Sequence, residues 1–229
     1  MEQRALRDRT LQEATLRAGL RIVQLDLEVS AKFYEQTARY FGEKIQTRKK
    51  KDDAKPASYW DQDGGYGTTR GELASEEYRE LQEMLQLNSY FGVLTIFAAF
   101  ERFLLRTFQN MKRLKLVKNE WQKKQGFLKL GDYKDSLKGI GIYLAKPPFP
   151  WSDITKLKDF RDAIAHQDGF VTEENIKRLR RYKYEIGQRI QISDEYYRSA
   201  ANLVKDSCSQ LVNEYGDVLR KRGRPKRIR

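Results

Sequence analysis

Cysteine and histidine are nearly absent from the 229-residue chain, which holds one of each, Cys208 and His166. A lone cysteine excludes an internal disulfide, and the two together exclude a structural zinc site, which takes four Cys or His ligands. Carboxylate sites for hard metals stay open, although no spacing calls for one. Chemistry must therefore use His166, carboxylates, hydroxyls, lysines or arginines, and no metal or cofactor is expected. Long apolar runs are missing too. The longest, residues 90–100, falls short of the ~20 residues a bilayer span needs. It predicts a buried helix and no membrane partner. The charged start, Met1-Glu2-Gln3-Arg4, lacks the apolar core of a signal peptide, which points to a cytoplasmic protein.

Charge is what the chain has in excess, with a net +13. Residues 220–229 hold seven basic groups and no acid, so the rest of the chain carries only +6. The body is mildly basic and the tail strongly so.

Apolar spacing predicts helices throughout. Leu16, Leu20, Val23, Leu27, Tyr34 and Phe41 fall at 3/4 steps, with Ser30 and Thr37 filling the seam. They predict one long N-terminal helix with a possible break at Gly19; Leu25, Leu27 and Val29 offer a competing strand pattern. Periodicity stops over residues 48–71, which read as a mobile surface loop. Its Gly64-Gly65-Tyr66-Gly67 cluster is no phosphate loop, because no Gly-Lys-Ser/Thr follows. Ser75 is the expected cap of a second long helix, with Met84, Leu87, Phe91, Leu94, Ala98 and Leu105 as its seam. Glu101 fills the one seam position without an apolar side chain, and a carboxylate there is costly unless paired. Residues 113–131 predict a short helix and loop, and Asp132 the cap of another short helix. Thr172 should cap a basic helix with Lys177, Arg178, Arg180, Arg181 and Lys183; residues 186–192 alternate as a short strand or extended turn. Ser193 should cap a last helix whose seam is Tyr197, Ala201, Val204, Cys208, Leu211, Tyr215 and Val218. Cys208 on that seam is expected to be inert core.

Residues 151–169 organise the rest. Pro147, Pro148 and Pro150 forbid helix just before them, Ser152 can serve as N-cap, and Gly169 supplies the positive φ that stops a helix. Within this helix stand Arg161, Asp162 and, five residues after the arginine, His166.

The run Arg-Asp-x-x-x-His resembles the signature of the HEPN superfamily, whose ribonuclease members carry Arg, four to six residues, then His. The resemblance covers residues 75–216. It implies an all-α, up-and-down bundle of HEPN type over residues 75–219; spacing and charge add residues 1–74 as N-terminal helix and mobile loop and 220–229 as a basic disordered tail. It further implies a homodimer that cleaves RNA without a metal, in a toxin–antitoxin or antiviral defence setting with an antitoxin or defence partner. In that mechanism a ribose 2′-hydroxyl attacks the adjacent phosphorus and leaves a 2′,3′-cyclic phosphate. The residue types suit it. Histidine exchanges protons near neutrality, an arginine fork matches phosphoryl oxygens, and Asp162, four residues before His166, can orient the imidazole. Glu101 is the supporting candidate for Arg161, and Lys177, Arg178, Arg180 and Arg181 are candidate RNA contacts.

Spacing raises an objection. At 100° per residue Arg161 and His166 point about 140° apart, with Arg161 amid Ile154, Leu157, Phe160 and Ile164. Either the arginine is structural and pairs with Glu101 while His166 faces solvent, or the motifs of two protomers complete one cleft. The rival readings are a non-catalytic helical interaction module and a DNA-binding regulator. The latter follows from Arg222-Gly223-Arg224-Pro225, which resembles the core of the AT-hook, a segment that inserts Arg222- and Arg224-like side chains into narrow minor grooves.

Overall fold

The computed structural model describes residues 2–53, 70–114, 116, 130–142 and 149–223. They form an all-α bundle: α1 (Glu2–Asp53), α2 (Arg70–Arg113), α3 (Leu130–Gly139), α4 (Trp151–Gln167), the short α5 (Ile176–Leu179) with a 3-10 turn (Arg180–Tyr182), and α6 (Asp194–Gly223). None of the described helices is long and apolar enough to cross a membrane.

Helix α2 is the hub, touching α1, α3, α4 and α6. Helices α1 and α2 run antiparallel, since Asp26 meets Arg102 while Arg48 meets Glu77. Helix α6 also opposes α1, with Glu13 beside Arg220 and Ser30 beside Tyr197. The α1 seam is as read from the sequence: Leu16, Val23, Leu27, Ser30 and Tyr34 are buried. The helix runs through Gly19 without a break, and the Leu25–Val29 strand pattern forms no strand. On the α6 seam Tyr197, Val204, Cys208, Leu211 and Tyr215 are buried, and Ser193 Oγ accepts from the Tyr196 amide at 3.1 Å.

Several expectations need correction. Helix α2 starts at Arg70, so Ser75 is not its cap. Helices also enter the expected 48–71 loop from both sides, to Asp53 and from Arg70; its Gly64–Gly67 cluster lies outside the described residues. The α2 seam is the wrong face. Met84, Leu87, Phe91 and Leu105 are exposed, whereas Tyr90, Val93, Ile96, Phe97, Phe100, Phe103 and Leu104 are buried. Polar residues share that buried face because they find partners: Asn88 Nδ2 donates to the Tyr34 carbonyl at 3.2 Å, and Thr107 Oγ1 to that of Phe103 at 2.9 Å. Helix α6 continues to Gly223, so residues 220–223 of the expected disordered tail are helical. The alternating 186–192 segment makes a single antiparallel bridge, Phe170 to Arg189, with the Ile190 amide on the Gly169 carbonyl at 2.8 Å.

One close approach fixes a glycine. A Cβ on Gly92 would stand 2.5 Å from the Tyr197 ring. That ring also stacks on Tyr34 at 3.9 Å, which locks α1, α2 and α6 together.

Candidate functional site: a charged cluster on α4

Helix α4 begins at Trp151 with Pro150 in the cap position and no side-chain cap, so Ser152 does not play that part. The first turn is closed by the backbone instead, Ile154 N to Pro150 O at 3.0 Å. Its buried stripe is Ile154, Leu157, Phe160, Ala163 and Ile164, joined by Asp159. At the other end Asp168 (φ 50°) and Gly169 (φ 79°) are both left-handed, and the Gly169 amide returns to the Ala163 carbonyl at 3.0 Å.

Arg161 projects toward α2. Its Nη2 lies 2.6 Å from Glu101 Oε2 and its Nη1 3.1 Å from Asp162 Oδ1, and its guanidinium covers the Phe97 ring at 4.7 Å. The side chain keeps 23% exposure, against 46% for Glu101. A carboxylate on this apolar helix is thus both paired and half in water, which removes the burial cost. So exposed a pair contributes about 1 kcal/mol or less; its consequence is orientation.

His166 lies on another face, exposed and with no hydrogen bond or ion pair among the described residues. Asp162 does not orient it. Its carboxylate is held instead by Lys158 at 2.5 Å, Arg161 at 3.1 Å and Arg178 at 3.1 Å. The site residues Arg161, Asp162 and Glu101 are therefore together, and His166 stands apart, one turn beyond Asp162.

The basic run splits in two. Lys177 and Arg180 are exposed, while Arg178 and Arg181 reach back to α4, the first to Asp162 and the second to Asp159. Thr172 does not cap α5; its amide donates to Asn175 Oδ1 at 2.8 Å, while its hydroxyl is buried without a partner. Asp159, 4% exposed, belongs to the cluster although it stands outside the Arg-Asp-x-x-x-His run. It accepts from Arg181 and from the Tyr182 hydroxyl at 3.1 Å. That anchor raises the Arg181 guanidinium above its ordinary value, and burial first, then Asp159, pushes the Tyr182 phenol up to about 12. Phe160 meets the rings of Tyr182 and Tyr184 edge-on at 5.6 and 5.7 Å, so the segment carrying Arg178 and Arg181 is clamped onto α4 by apolar and ionic contacts together. The sequence did hold a signal: Asp159 and Asp162 are three apart, and so are Arg178 and Arg181.

Among the described residues no group of three His, Cys, Asp or Glu is placed to hold a metal ion. Of the tail candidates, Arg222 lies in the last turn of α6, and Arg224 lies outside the described residues. No family model, curated protein or solved structure matches the chain.

Proposed function

We propose that the chain is a HEPN-type endoribonuclease, cytoplasmic and homodimeric, that cuts RNA without a metal ion as part of a toxin–antitoxin or antiviral defence system. The observation that carries the reading is the exposed imidazole of His166, unpartnered among the described residues, one turn from a carboxylate that gathers three cations. An imidazole left free of protein partners is available to a ribose hydroxyl. It takes the 2′-hydroxyl proton, the O2′–P bond forms, the P–O5′ bond breaks, and the protonated ring returns a proton to the departing 5′-oxygen. A guanidinium from the cluster on Asp162, one turn away, stabilises the charge on the phosphoryl oxygens.

Dimerisation has support on α1 and α2. Ten of the twelve large exposed hydrophobic side chains among the described residues lie on these two helices. They include Leu25, Val29, Phe33 and Phe91 around one groove, where the rings of Phe33 and Phe91 meet at 6.0 Å. The ten side chains are about half exposed, so at roughly 200 Å² apiece they offer on the order of 1,000 Å². A stable interface buries about 800 Å² per partner. A second copy of the chain matches that area.

One observation favours the non-catalytic module instead: both amino groups of Arg161 are occupied by carboxylates, as in a purely structural arginine. The deciding experiment incubates the chain with single-stranded RNA in EDTA and analyses the ends. The ribonuclease leaves 2′,3′-cyclic phosphates. Strict dependence on added metal, 3′-hydroxyl ends, or no cleavage at all would overturn it.

A further inference from the structure

Two arginines share Asp162, and they differ in what remains free. Arg161 uses Nη2 on Glu101 and Nη1 on Asp162, and its plane lies over Phe97. Arg178 reaches Asp162 at 3.1 Å and Asp159 at 4.0 Å with Nη1 alone. Its Nε and Nη2 have no partner among the described residues, and the side chain is 45% exposed against 23% for Arg161. Placement separates them too. On a helix at 100° per residue Asp159, Asp162 and His166 fall within about 60° of one another, and side chains four apart have Cβ atoms about 5–6 Å apart. Arg178 thus lies over the face of α4 that carries His166, while Arg161 points to α2.

We infer that Arg178, anchored by Asp162, binds the scissile phosphodiester beside His166 within one protomer, and that Arg161 positions it through the shared carboxylate without touching RNA. The inference rests on the ribonuclease reading. A guanidinium with one amino group tethered and the rest of its fork open is suited to bidentate phosphate contact. The tether is itself held, because Arg181 and Tyr182 fix the same segment on Asp159. With Lys158, Arg161 and Arg181 around Asp159 and Asp162, the cluster keeps a cationic surplus that attracts a polyanion.

The test uses the full chain with two probes, an unmodified single-stranded RNA for cleavage and a uniformly 2′-O-methylated copy, which lacks the nucleophile, for binding. Arg178→Gln should lower the slope of log affinity against log salt by about 0.7, the value for one lost phosphate contact on a single strand. It should cut the cleavage rate about 10²- to 10³-fold. Arg178→Lys restores the slope but not the rate, because the point charge lacks the fork. Arg161→Gln leaves the slope unchanged and lowers cleavage. If wild type cleaves and Arg178→Gln changes neither slope nor rate, the role of Arg178 is refuted and the nuclease reading survives. If wild type binds but never cleaves while Arg178→Gln still lowers the slope, the RNA contact stands and the nuclease reading falls. A wild type that binds no RNA overturns both.

Discussion

Replacing Gly169 by alanine tests whether the end of α4, one turn past His166, is held as described. Gly169 has φ 79°, and a Cβ there would stand 2.2 Å from the Tyr90 hydroxyl and 2.4 Å from its Cζ. The backbone strain alone costs an alanine about 1 kcal/mol. The clash adds more, because it involves a ring carbon as well as the hydroxyl and Tyr90 is buried with 3% exposure. The ring must move, and its hydroxyl then loses the 2.7 Å hydrogen bond it donates to the Ile190 carbonyl. The Ile190 carbonyl keeps the Gln86 Nε2 donor at 3.3 Å, so the lost bond itself adds about 1 kcal/mol. The sum is about 3 kcal/mol, which for a chain of this size lowers Tm by about 6–12 °C. Gly141 is the control: its φ is 88° but nothing among the described residues lies within 4 Å of its Cβ position, so Gly141→Ala should show the strain alone, about 1 kcal/mol. Thermal and urea unfolding followed by circular dichroism measures both. Equal losses for the two variants would refute the Tyr90 contact.

Asp159→Asn keeps the size of a side chain that is 4% exposed but removes the charge that holds Arg181. It should cost about 1–3 kcal/mol and speed hydrogen exchange across residues 176–184; unchanged exchange would show that the Phe160 contacts suffice without it. Burial, and for Tyr34 next the Asp194 hydrogen bond, pushes the phenols of Tyr34 and Tyr133 up to about 12. An acid with a raised folded pKa stabilises the fold fully below its unfolded value, near 10, and loses that contribution as pH rises through about 12. Absorbance at 295 nm should therefore rise together with loss of helix in that window; phenols that all ionise near pH 10 with helix intact would contradict it. Phe91→Glu places a charge at the centre of the α1–α2 apolar face and should convert dimers to monomers in sedimentation, with helix content unchanged. A wild-type monomer at the same concentration would leave that face without its second copy.

The helices that pack with a narrow stripe were legible in the sequence, and α1 and α6 are examples. Helix α2 was not, because it is apolar on most sides. The best-spaced apolar stripe, Met84 to Leu105, faces outward, while Asn88, Ser89 and Thr107 go inside with their hydrogen bonds made. Spacing counts apolar side chains; it does not register a polar one that finds a backbone partner. The α4 cluster was half visible. Arg161 opposite Glu101 followed from two positions where charge interrupts an apolar face. That Asp162 would turn to Lys158, Arg161 and Arg178 rather than to His166 did not, since Arg178 arrives from sixteen residues away along a chain path set by the rings packed on Phe160.

The most direct measurement is single-turnover cleavage of RNA in EDTA by the wild type and by His166→Ala. An exposed histidine without partners among the described residues contributes little to folding, so the variant should melt within about 1 °C of wild type. Its rate should fall by about 10²- to 10⁴-fold, the share that one proton-transfer group supplies. A variant that folds alike and cleaves at the wild-type rate would contradict the account at its centre.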